Sequence, residues 1–134
     1  MVLRALVVLV ALACLSSPAQ AQFGRTQLIY DVTDAPITTM SGKMLTSDQV
    51  KSIITQTATA RGWRVRDQRP GHLVATITPR SHMAAVDIIY TNKIYSIRYK
   101  ESDNLLYNGA NIHRNYNKWV KLLERDINQR FAAQ

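Results

Sequence analysis

Cysteine occurs once in the 134 residues, and acidic residues are scarce, with 9 Asp and Glu against 17 Lys and Arg. One thiol excludes an internal disulfide and every multi-cysteine metal knuckle. The charge balance leaves a net +8. Several chemical signatures are also missing. There is no Gly-x-Ser-x-Gly elbow, no Gly-rich phosphate loop and no His-Glu-x-x-His. His72, His82 and His113 lack the i, i+4 spacing of a zinc pair and have no acidic neighbour at a ligand spacing. No metal and no cofactor is therefore expected, and no reaction class is named. What remains is an ordinary globular composition, 46% hydrophobic, at the length of one domain.

The N-terminus carries an address. Met1 to Arg4 supplies one positive charge, Ala5 to Leu15 supplies none, and Ser16-Ser-Pro18 breaks the run. Ala19-Gln-Ala21 then offers small residues where a signal peptidase reads. This is the pattern of a secretory signal peptide over residues 1–21. The run is too short for a membrane span, which needs about 20 apolar residues. Cleavage would remove Arg4 and Cys14, leaving a soluble, cysteine-free periplasmic protein. Ala11-Leu-Ala-Cys14 has a second reading as a degraded lipobox, with Cys14 lipidated. Membrane attachment is expected only on that reading.

Beyond residue 21, residues 22–44 read as an extended lead-in and 45–132 as a single α+β domain. Leu28–Val32 and Pro36–Met40 are candidate short strands, the second marked by its proline as an edge or a linker. Thr46-Ser-Asp-Gln49 fits a capping box, and Val50, Ile53, Ile54, Thr57 and Ala58 follow at helical spacing. A helix over 47–61 is predicted, stopped at Gly62. The period then changes to two. Trp63–Asp67, Leu73–Pro79, His82–Tyr90 and Lys93–Lys100 read as four strands of an antiparallel meander. A second helix runs from about Asn111 to Phe131, with Arg114, Lys118, Lys121 and Arg125 opposite its apolar stripe. The expected architecture is α-β-β-β-β-α, two helices on one face of a four-stranded sheet.

Hairpin arithmetic sets the register. A two-residue loop at 80–81 places Leu73 opposite Ile88, Ala75 opposite Val86 and Ile77 opposite Ala84. A two-residue loop at 91–92 places Ile88 opposite Tyr95, Val86 opposite Ile97 and Ala84 opposite Tyr99. Both put the same residues of the central strand on one core face, together with Trp63 and Val65. A one-residue slip would destroy this agreement. The other face then carries one row of Arg64, Thr76, Ala85 and Arg98, and a next row of Arg66, Val74, Asp87 and Ser96. Lys100 lies at one end.

That basic face is the first candidate site, with Arg64, Arg66, Arg98, Lys100 and Asp87 as anion- or partner-binding residues. The plain alternative is a solvated sheet face with Asp87 paired to Arg98 or Arg66. Val74, Met83, Ile89 and Ile94 on the same face allow a homodimer surface. Nucleic acid is not expected, because Trp63, Tyr95 and Tyr99 fall on the core face and leave no stacking platform. A glycosidase would need two close carboxylates, and this face offers one. A second candidate region holds Asn111, His113 and Asn115 near the 101–110 loop, as a ligand site or the site of a small hydrolase. The simpler reading there has Asn111 capping the helix.

Gly109-Ala-Asn-Ile-His-Arg-Asn-Tyr-Asn-Lys-Trp119, with Pro70-Gly-His-Leu-Val74 and His82-Met-Ala84, resembles a family of small, functionally uncharacterised bacterial exported proteins and lipoproteins. The resemblance covers roughly residues 28–130. It implies an address in the bacterial envelope and no catalytic residues.

Overall fold

The computed structural model describes residues 24–134. The expected signal peptide at 1–21 and the lipidation candidate Cys14 lie outside them. Within the described residues the strands are β1 (Thr26–Leu28), β2 (Val32–Pro36), β3 (Arg64–Arg69), β4 (His72–Ile77), β5 (Met83–Tyr90), β6 (Ile94–Asp103) and β7 (Asn111–His113). The helices are α1 (Ser47–Ala60) and α2 (Arg114–Ala132). The architecture is α+β, with a five-stranded antiparallel sheet in the order β2-β6-β5-β4-β3 and a small β1-β7 sheet.

The four-strand count is thus corrected to five, because β2 adds to the edge of β6 through Val32↔Ile97 and Ala35↔Tyr95. The expected strands Leu28–Val32 and Pro36–Met40 give way to Thr26–Leu28 and Val32–Pro36, because long-range pairing sets their bounds. Strand β2 carries a bulge between Val32 and Ala35, and Asp34 there adopts a positive φ of 48°, a conformation rare outside glycine and its short polar substitutes. Ser96 secures the bulge by accepting from the Asp34 N–H at 2.9 Å and donating to its carboxylate at 3.2 Å. Pro36 ends the strand on the outer edge of the sheet, where a missing N–H disturbs no ladder.

Helix α1 forms for the local reasons the sequence displays. Gln49 N–H donates to the Thr46 hydroxyl at 3.1 Å, and Thr46 N–H donates to the Gln49 side chain at 2.9 Å. This reciprocal pair satisfies two otherwise orphaned donors. Gly62 stops the helix with a φ of 89°. Helix α2 begins later than expected. Its N-cap is His113, whose Nδ1 accepts from the Asn115 N–H, while Asn111 is drawn into β7 by pairing with Leu28. A lead-in strand that local propensity cannot foresee therefore moves the helix start.

The β4–β5 register follows the hairpin arithmetic: Leu73↔Ile88, Ala75↔Val86, Ile77↔Ala84. The β5–β6 register does not. Tyr90 pairs with Tyr95, Ile88 with Ile97 and Val86 with Tyr99, a slip of two residues from the expected pairing. The turn is longer than two residues because Thr91 organises it. Its N–H donates to the Ile94 carbonyl at 2.9 Å, and its hydroxyl accepts from the N–H groups of Lys93 and Ile94. An even slip leaves every side chain on its own face, so the core face survives the error intact.

That face meets both helices. Leu73, Val86, Ile88, Tyr95 and Ile97 are buried with Val50 and Ile54 of α1 and with Tyr116, Val120, Leu123, Ile127 and Phe131 of α2. Tyr95 packs against Phe131 with ring centres 5.8 Å apart, and Tyr99 meets Tyr116 at 5.7 Å. Asn117, also buried, ties the lead-in to α2. It accepts from the Tyr30 N–H at 2.9 Å and donates to the Leu28 carbonyl at 2.8 Å.

Candidate functional site

The face away from the helices is rearranged by the two-residue slip. One row now runs Arg66, Val74, Asp87, Arg98, and the next Arg64, Thr76, Ala85, Glu101. Arg98 has moved beside Asp87, and Ser96 beside Ile89. A further irregularity follows between Ala85 and Val86, where Lys100 is the unpaired residue of a bulge in β6. Bulges redirect side chains, and this one turns the Lys100 ammonium to within 3.8 Å of the Asp87 carboxylate.

Asp87 is held chiefly by a residue the sequence did not suggest. His72 Nε2 donates to its Oδ1 at 2.6 Å, so the ion pair expected with Arg98 or Arg66 is replaced. The pairing follows from register, since His72 lies opposite Ile89, two residues along from the Val74–Asp87 pair and on the same face. His72 Nδ1 is buried and has no hydrogen-bond partner among the described residues. The His72–Asp87 pair flanks Val74, which is only 5% exposed although no helix among the described residues packs on this face. Of the apolar residues expected here, Ile89 and Ile94 are the exposed ones.

Arg64, Arg66 and Arg98 form no ion pair among the described residues, whereas Lys51, Arg61 and Arg125 are paired with Asp67, Asp126 and Asp126. Arg64, Arg66, Thr76, Lys100 and Glu101 line a depression of about 230 Å³ floored by Val74. Guanidinium groups present forked donors suited to carboxylate and phosphate oxygens. Glu101 is the carboxylate that remains at the rim.

In the second candidate region His113 and Asn115 touch through the helix cap, and their side chains have different surroundings. His113 stacks on His82 with ring centres 6.4 Å apart. Asn115 instead lines a separate trough along α2, and Asn111 is occupied with the loop before it, donating its N–H to the Asn108 side chain at 2.8 Å. Partial burial holds the His113 pKa below the usual 6.5, helped by the neighbouring His82, Arg114 and Arg25. The Nδ1 atoms of both rings are also committed. His82 Nδ1 faces the Asn104 carbonyl at 2.7 Å and so donates, while His113 Nδ1 accepts from a backbone N–H. Neutral His113 then carries its proton on Nε2, the wrong tautomer for a metal ligand at that atom. No group of three or more metal-ligating side chains stands together among the described residues.

The features that sequence reasoning missed are the His72–Asp87 contact and the bulge at Lys100. Neither has a local signal, because both depend on strand register. Among the described residues no helix is long and apolar enough to cross a membrane. Comparison with protein-family models, curated proteins and solved structures finds no match to this chain.

Proposed function

We propose that this chain is a small, non-catalytic protein of the bacterial envelope, exported to the periplasm, that binds an anionic envelope component or an acidic partner through the outer sheet face. The observation that carries the reading is the imbalance of charge there. Arg64, Arg66 and Arg98 lack carboxylate partners among the described residues, and the bulged Lys100 joins the first two around one depression. Of the carboxylates on this face, Asp87 is occupied by His72 and Lys100, and Glu101 lies at the rim of the depression. The export address at residues 1–21 and the resemblance to bacterial envelope proteins supply the compartment.

The test is association of the full chain with the envelope fraction of a bacterium that expresses it. Substituting Arg64→Glu, Arg66→Glu and Arg98→Glu together should release the protein, and raising salt should do the same to the wild type. The triple Arg→Gln variant, which removes charge without adding repulsion to Asp87, should be weakened in the same direction. Association that survives all three conditions would refute the reading.

A further inference from the structure

A second basic surface lies in the other layer of the fold. Arg114, Lys118, Lys121 and Arg125 recur along α2 at i, i+4, i+7 and i+11. At 100° per residue they fall within one narrow stripe, turned away from the buried residues Tyr116, Val120, Leu123 and Ile127. At 1.5 Å per residue the stripe is about 16 Å long. All four cations line one shallow trough of about 630 Å³, together with Gln27 and Leu122.

The acids of the same helix are engaged on its flanks. Glu124 accepts from the Tyr30 hydroxyl at 2.6 Å, which pushes that phenol's pKa up to about 12. Asp126 is held by Arg61 and Arg125, which keep its carboxyl below the usual range. Lys121 rests over the Tyr30 ring at 5.0 Å. Among the described residues no carboxylate lines the trough, so none of them neutralises Arg114 or Lys118 there.

The entry of the chain lies at the same place. Arg114 N–H donates to the Arg25 carbonyl at 2.7 Å, so the first described residues sit at the head of the stripe. Leu15, the end of the apolar run, precedes Arg25 by ten residues, a reach of at most about 36 Å. Any form of the chain that keeps this run, or a lipid on Cys14 one residue further back, holds the head of the stripe within about 40 Å of a bilayer.

We infer that the outer face of α2 docks on anionic lipid headgroups, as a surface distinct from the outer sheet face. A stripe of four cations, of which only Arg125 is paired with a carboxylate among the described residues, matches a planar array of phosphates by charge and by shape. The apolar stripe of the helix stays in the protein core, so the contact is electrostatic and the helix does not insert.

The full chain can test this on two sets of vesicles, one of phosphatidylcholine and one containing 30% phosphatidylglycerol. The ratio of the two affinities isolates the electrostatic part from any contribution of the N-terminal run. We expect at least a tenfold preference for the anionic vesicles, lost at high salt. Arg114→Glu with Lys118→Glu should abolish that preference. Glutamate in the first turn of a helix is favoured by the dipole, so the fold should tolerate the first change; Arg114→Gln with Lys118→Gln should lose it in part. Arg64→Glu with Arg66→Glu should leave the preference in place, which separates this surface from the sheet face. No preference in the wild type, or a preference untouched by the α2 changes, would overturn the inference. Binding of soluble polyphosphate with no vesicle binding would overturn it too and assign the stripe to a linear polyanion.

Discussion

The two faces of the five-stranded sheet bury residues to a similar degree by different means. On the covered face, Ile88, Tyr95 and Ile97 are fully buried against two helices. On the outer face, Val74 and Ala85 are nearly as buried, at 5% and 1% exposure, yet no helix among the described residues packs there. Val74 is flanked by the His72–Asp87 pair. The first face is held by dispersion and apolar transfer, which tolerate neighbours of the right size. The second depends on polar groups whose partners are set by register. Burial alone therefore does not reveal which side of a sheet is the core. The chemistry of the neighbours does.

The contrast can be broken most severely at Ile97. Ile97→Ala removes a fully buried side chain from the covered face and should cost about 2–5 kcal/mol in denaturant unfolding. A loss under 1 kcal/mol would mean that the helices do not clamp this strand. A smaller effect is expected from Asp87→Ala on the outer face. It removes the contact to His72 and leaves that ring without a partner on either nitrogen. Hydrogen bonds to charged groups contribute about 1.5–3 kcal/mol, and the partial exposure of Asp87 reduces this to roughly 1–2 kcal/mol. Equal losses from the two substitutions would dissolve the distinction between the faces.

The smallest effect sharpens the comparison from the covered side. The Tyr116 hydroxyl is buried without a hydrogen-bond partner among the described residues, and burial drives its pKa well above the ordinary phenol value. Tyr116→Phe should therefore be neutral or stabilising, by up to about 1 kcal/mol, because an unsatisfied buried hydroxyl carries a desolvation cost. A clear destabilisation in the melting temperature would mean that the hydroxyl has a partner, such as a trapped water.

Much of this architecture is legible in the residues because it rests on local or periodic rules. The capping box at Thr46 and Gln49, the alternation through β3–β6 and the apolar stripe of α2 each speak through neighbours in sequence. Even the mistaken pairing of β5 with β6 left the core face correct, since a slip of two residues preserves the alternation of side chains. The candidate arginines Arg64, Arg66 and Arg98 were identifiable on the same grounds. Asn111, by contrast, was misread as a cap because its pairing partner, Leu28, lies far away in the chain.

The sequence by itself determined the fold class, the helix boundaries within a few residues, and which side chains face inward. These follow from period, propensity and capping, all short-range. Tertiary structure decided which side chains on the outer face are neighbours. The turn built on Thr91 displaced Arg98 along the sheet, the bulge in β6 aimed Lys100 at Asp87, and the pairing of β4 with β5 brought His72 to the same carboxylate. A strand's alternation says which face a residue occupies. Its neighbours across the sheet depend on the length of the turn and the position of each bulge, and those are settled only when the strands meet.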